Sequence, residues 1–115
     1  MKTLHLNLKK KWFDMIYAGL KPEEYRELTK YWAKRLMKIH NFKYIEGMEN
    51  FMADNKIFFK EFDTVTFSNG YAKNRKQFII EFIKTEISTG KEKYGAVKGK
   101  KYFCIKLGKI LNSNF

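Results

Sequence analysis

The chain has 115 residues and carries 24 Lys and Arg against 12 Asp and Glu, a net charge of +12 at neutral pH. Its hydrophobic content of 44% and aromatic content of 17% exclude a disordered, charge-dominated chain and fit a single domain over residues 1–115 with one ordinary core. Cys104 is the only cysteine, which excludes an intrachain disulfide and a cysteine-based zinc site; His5 and His40 stand apart, so neither a metal nor a cofactor is expected.

Leu4, Leu6 and Leu8 alternate with Thr3, His5 and Asn7, the period of a half-buried strand with His5 on its polar face. The stretch is too short and too polar for a signal core and runs into Lys9–Lys11. No apolar run approaches the ~20 residues of a membrane span. A cytoplasmic protein with no membrane partner is therefore expected. From Lys9 to Ala18 the period changes: Trp12, Phe13, Ile16 and Tyr17 form one apolar helical stripe. Gly19 stands where a helix ends in a left-handed residue, and Pro22 stops a helix from running on.

Glu23–Glu27 reads as extended, and Leu28–Ile39 as a second helix with Leu28, Trp32, Leu36 and Ile39 on one face. Lys30, Lys34 and Lys38 make a lysine stripe on another, expected to be solvated. Tyr44, Ile45, Met48, Phe51 and Met52 again show helical spacing, so a short third helix is expected over 43–53, inside an insertion at about 40–61 that covers one end of the sheet. Val65 and Phe67 then alternate with Thr64, Thr66 and Ser68, and Asn69-Gly70 supplies a turn. Gln77–Ile87 is the strongest strand, with both faces expected to be covered. Ser88–Gly99 reads as a Gly/Lys-rich loop, Tyr102–Leu107 as the closing strand with Phe103, Ile105 and Leu107 inward, and the remainder as a tail. Cys104 reads as a structural thiol. The order predicts an α+β fold, a small mixed β-barrel with helices packed at its ends.

The charge excess points to a polyanionic partner. Lys, Phe, Ile, Asn and Tyr share A/T-rich codons, so an A/T-rich genome would supply part of the lysine excess, but it would leave the shortage of acids unexplained. The segment that spacing alone does not account for is Gly19-Leu20-Lys21-Pro22-Glu23-Glu24-Tyr25-Arg26. On an extended 23–27, Glu24 and Arg26 share one face and Tyr25 takes the other. Lys21 at the preceding turn would join an ammonium to that carboxylate and guanidinium. Such a cluster is either an ion-pair network tying a helix end to a strand or a partly desolvated site.

Gly19, Lys21, Glu24 and Arg26 reproduce the pattern G-x-K-x-x-E-x-R, and in this the chain resembles the ASCH domain family, whose fold is the PUA-like β-barrel. Phe62–Val65, Asn69–Tyr71 and Tyr94–Ala96 are similar to the small single-domain type found in bacteria and their phages. The resemblance spans essentially the whole chain if 40–61 is an insertion. It implies a basic cleft that receives RNA or a nucleotide, with the motif at its floor. Lys21 and Arg26 would contact an anion or base, and Glu24 would orient them. Asn69, Gly70, Tyr71, Lys73 and Arg75 would form one rim, Tyr71 by stacking on a base.

The first reading is accordingly an RNA or modified-nucleotide binding module. The alternative is a small hydrolase, a nucleoside amidohydrolase or ribonuclease, with Lys21 and Glu24 as catalytic residues. Some small members of the family remove the acetyl group of N4-acetylcytidine with a Lys, a Thr and a Glu. Lys21 matches that lysine, but Glu24 stands at the threonine position, and spacing does not place the third residue, for which Glu81 is a candidate. A lysine acting as base or nucleophile needs a lowered pKa, whereas a neighbouring carboxylate stabilises its charged form. A third reading, a protein-interaction module, rests on the aromatic residues of 40–61, including Phe58 and Phe59.

Overall fold

The computed structural model describes residues 1–38 and 59–115. The expected third helix over 43–53 lies outside them, as does most of the 40–61 insertion, Phe58 included. The described elements are β1 (Thr3–Leu8), α1 (Lys10–Tyr17), β2 (Glu23–Arg26), α2 (Lys30–Leu36), β3 (Thr64–Asn69), β4 (Gln77–Thr89), a 3-10 turn at Glu92–Tyr94, and β5 (Lys101–Ser113). The strands form one mixed sheet in the order β1-β3-β4-β5-β2, so the chain has the α+β class that its patterning predicts. Among the described residues no helix is long and apolar enough to cross a membrane. Two compact units divide the chain. One comprises Met1–Glu23, Phe62–Lys84 and Lys106–Phe115, the other Glu24–Glu61 and Thr85–Ile105.

In the first unit β1 runs parallel to β3, from Thr3 opposite Thr64 to Leu8 opposite Asn69, and β3 runs antiparallel to β4, from Thr64 opposite Glu81 to Ser68 opposite Gln77. Alternation sends Leu4, Leu6, Val65, Phe67, Phe78 and Ile80 to one buried face. Helix α1 contributes Phe13 and Ile16 to this core; the Phe13 and Phe78 rings meet edge to face at 4.9 Å. The opposite face is polar, with Thr3 and Thr66 hydroxyls 3.2 Å apart.

The end of α1 explains the first half of the motif. Gly19 N–H donates to Ile16 O and Leu20 N–H to Met15 O, at 3.0 and 2.9 Å, the paired bonds of a Schellman cap. Gly19 has φ +78, and a Cβ there would meet nothing within 4 Å. The glycine is required for its backbone angle and not for space. Lys21 N–H also reaches Met15 O, at 3.2 Å, so the cap sets the direction in which Lys21 leaves the helix.

In the second unit α2 starts at Lys30 rather than at the expected Leu28, because the Thr29 hydroxyl accepts the Trp32 N–H at 3.3 Å and caps the helix. It stops at Leu36 because Met37 is extended and bridges Phe59. Lys30, Lys34 and Lys38 are exposed, as a solvated stripe should be. Tyr25 and Tyr102 pack at 5.6 Å, and their hydroxyls accept Lys91 N–H and Val97 N–H, both at 2.9 Å. Cys104 is buried with Ala96 and Tyr102 and donates to Ser88 O.

The late strands depart from expectation in two places. Both faces of β4 carry buried residues, but Ile83 is 60% exposed, so the cover is interrupted there. Its buried positions are Phe78 and Ile80 early but Thr85 and Ile87 later. The buried side thus changes from one face to the other along the strand, between its part in the first unit and its part in the second. Burial on both faces at the same level belongs to β5, where Tyr102, Phe103, Cys104 and Ile105 are consecutive and buried. Nor is the C-terminal stretch a tail: β5 continues to Ser113. Asn114 N–H donates to Gln77 O at 3.1 Å, and its side-chain oxygen accepts Gln77 N–H at 2.8 Å. Phe115 packs on Phe13 and Tyr17.

Candidate functional site

The motif is divided between the two units, with Gly19 and Lys21 in the first and Glu24 and Arg26 in the second. Lys21 is only 2% exposed. An ammonium withdrawn from water needs compensation, and part of it comes from Trp12, whose ring centroid lies 5.1 Å from Lys21 Nζ. Trp12 stands there because it belongs to the apolar stripe of α1. Lys21 and Gly19 line a cavity of about 370 Å³, together with Tyr17, Pro22, Leu107 and Lys109 among others. In the same unit Glu23, next to Pro22, pairs with Lys106 at 2.7 Å. No sequence signal marks a pair separated by so much chain.

Glu24 and Arg26 come together as their spacing on a strand predicts. Arg26 Nη2 donates to Glu24 Oε2 at 2.9 Å, and Glu24 Oε1 accepts Tyr25 N–H at 3.0 Å. Both carboxylate oxygens are therefore engaged. The guanidinium also lies over Trp32, with its carbon 4.8 Å from the ring centroid, and Arg35 approaches the same ring at 5.0 Å. Arg26 is thus held by a carboxylate and an indole face, a setting that suits the planar, weakly hydrated guanidinium better than an ammonium.

The residues expected at the rim occupy a different part of the first unit. Asn69 Nδ2 donates to Leu8 O at 3.1 Å, and Gly70 turns the chain with φ +82. Lys73 is exposed. Tyr71 and Arg75 line a cavity of about 320 Å³ with His5, Leu6, Asn7 and Ser68. That cavity shares no lining residue with the one that Lys21 enters. Glu81 is not in the wall of the Lys21 cavity either, but its carboxylate accepts Lys109 N–H at 2.8 Å and lies where a Cβ on Gly108 would fall, 2.9 Å away. Gly108 and Lys109 are both wall residues. Among the described residues no cluster of His, Cys, Asp or Glu has the makings of a metal site.

Sequence reasoning missed Trp12 and Trp32 as partners of the motif's cations. The available signal was the chain's two tryptophans, each on a helix flanking the motif. It missed His5 and Asn7 as cavity residues because nothing in the sequence announces that β1 pairs with β3. No family model matches the chain, and neither a curated protein nor a solved structure matches it.

Proposed function

We propose that the protein is a nucleic-acid-binding module of the ASCH, PUA-like type, a small barrel that takes RNA or a modified nucleotide at the G-x-K-x-x-E-x-R motif. The observation that carries this reading is Lys21, a buried lysine in the wall of a cavity of about 370 Å³ on a chain of net charge +12. A cation kept dry beside a cavity meets an anionic guest with little screening, and the surrounding excess of lysines draws that guest in. Arg26, aligned by Glu24, is the second cation of the motif. Glu24 has both oxygens occupied, which favours an orienting role over that of a general base.

The test is a titration of labelled single-stranded RNA across a range of salt. Each phosphate neutralised steepens the log–log dependence of affinity by about 0.7, so a slope of several such steps is expected. Lys21→Met should lower affinity at least roughly tenfold, the effect of losing one charge-assisted contact of ~1.4 kcal/mol or more. Lys34→Ala, on the solvated stripe of α2, should change it little. Absent binding, or binding indifferent to salt, overturns the reading.

One observation favours a second reading, hydrolysis of an acylated nucleoside: the Glu81 carboxylate stands against wall residues of the Lys21 cavity. Incubation with N4-acetylcytidine and chromatography of the products decides it. Deacetylation abolished by both Lys21→Met and Glu81→Gln would establish the enzyme; turnover that survives Lys21→Met would remove this site from the chemistry.

A further inference from the structure

The cavity at the ends of β1 and β3 has a composition of its own. These two strands are parallel and finish side by side, Leu8 opposite Asn69. Side chains on the polar face of such a pair stand out from the sheet side by side, and the turn that leaves β3 passes next to them. His5 and Asn7 come from β1 and Ser68 from β3, while Tyr71 and Arg75 come from the turn that follows. The cavity is therefore built from three pieces of one unit, and its walls include an imidazole, a carboxamide, a hydroxyl, a phenol and a guanidinium.

Three of these walls have a definite state. Ser68 Oγ accepts from Gln77 Nε2 at 2.8 Å, which leaves the hydroxyl proton to donate to a guest. Arg75 is half-buried and donates from Nη1 to Ala72 O, within its own turn, at 3.3 Å; its peptide N–H goes to the same oxygen at 3.1 Å, and its carbonyl accepts from Asn114. Its plane is thus set by the turn, and the rest of its donor fork remains to be directed outward. Tyr71 is 87% exposed. A large ring held in water on a glycine-initiated turn gains nothing for the fold, but it offers a rigid surface on which a flat apolar guest can lose its hydration. Lys9, Lys73 and Lys76 flank these segments in sequence, and all three are exposed.

We infer that this cavity is a second nucleic-acid contact, distinct from the motif, which holds one unpaired base of a single-stranded RNA on Tyr71 with the adjoining phosphate on Arg75. The Ser68 hydroxyl, on the wall that His5 and Asn7 share, donates to the edge of that base, an edge that in a paired base is already occupied. The volume of about 320 Å³ is at the small end of ligand cavities and suits one nucleotide unit rather than a duplex. The inference rests on the nucleic-acid reading above and adds to it the kind of strand, single and unstacked, that the protein selects.

The experiment compares wild type, Tyr71→Ala, Tyr71→Phe, Arg75→Gln and Lys21→Met for binding to a short labelled oligouridylate and to an RNA duplex. Tyr71→Ala should weaken binding of the single strand roughly 5- to 100-fold, the range for losing one base-stacking platform, with an unchanged salt slope and unchanged duplex binding. Tyr71→Phe should bind as wild type, since the ring and not the hydroxyl carries the contact. Arg75→Gln should lower the salt slope by about 0.7, one phosphate contact. If Tyr71→Ala binds the single strand like wild type while Lys21→Met does not, the second contact is overturned and the motif reading stands. Equal weakening toward single strand and duplex also overturns it. If wild type binds neither RNA, both readings fall.

Discussion

Two cations of one short motif each rest on one of the chain's two tryptophans, and the settings differ. In the first unit Lys21 lies 5.1 Å from the Trp12 centroid and forms part of a cavity wall. In the second, Arg26 lies 4.8 Å from that of Trp32 with its guanidinium bonded to Glu24 at 2.9 Å. The aromatic face is common to both. Around Arg26 the geometry is that of a guanidinium aligned by a carboxylate two residues away; around Lys21 it is that of a buried ammonium at a cavity wall. The difference lies in what adjoins each cation: Arg26 is held between a carboxylate and an indole face, while Lys21 lies between an indole face and a cavity.

The largest break in that comparison should come from Glu24→Gln. Removing the carboxylate takes from a largely buried guanidinium the negative charge that it is bonded to, which costs about 3 kcal/mol, read as a lowered urea midpoint. If the midpoint hardly moves, Arg26 is not held as described. Next in size is Gly90→Ala. A Cβ at Gly90 would fall 2.5 Å from Ala96 Cβ and 2.9 Å from the Tyr25 ring, so overpacking should cost about 2 kcal/mol in the unit that holds Arg26, leaving the Lys21 cavity as it is. Gly19→Ala should cost about 1–2 kcal/mol through its backbone angle alone. It acts on the cap that aims Lys21, and should therefore lower RNA affinity as well as stability, whereas Gly90→Ala should lower stability only.

The smallest effect belongs to an exposed pair. Lys100 and Glu27 meet at 2.6 Å, both about half-exposed. The hydrogen bond to Glu27 raises the Lys100 pKa above its ordinary 10.5. A group whose pKa is raised on folding stabilises the fold below its unfolded pKa and ceases to do so as pH climbs through the raised value. The pair's contribution should thus be present at neutral pH and vanish only in strong alkali. Solvent screening keeps it small: Glu27→Gln should leave the urea midpoint at neutral pH unchanged within error. A clear shift would mean that exposed and buried pairs in this chain do not differ as the Glu24–Arg26 contrast requires.

The motif was legible to different depths along its length. Glu24 and Arg26 are two apart on a strand, and local geometry suffices to bring them together. Gly19 followed an amphipathic run and could be assigned its left-handed cap. Lys21 was legible as a motif residue but not as a buried one, because its burial depends on α1, the Pro22 turn and β5. The rim residues were legible as a turn, yet their company with His5 and Asn7 depends on a parallel pairing across more than fifty residues. The missed Thr29 cap and the exposed Ile83 are smaller cases of the same kind: a hydroxyl taking a helix N–H, and a strand changing the side that it buries.

By itself, then, the amino-acid order determined what is decided within a few residues: the alternation of β1, the stripe of α1, the glycine stop, the facing of Glu24 and Arg26, and a surplus of twelve positive charges. Tertiary structure alone decided which cations stand at cavities, which of them are buried, and that β5 is covered on both faces. Those outcomes depend on contacts between segments far apart in the chain, and no local period encodes the pairing that makes them.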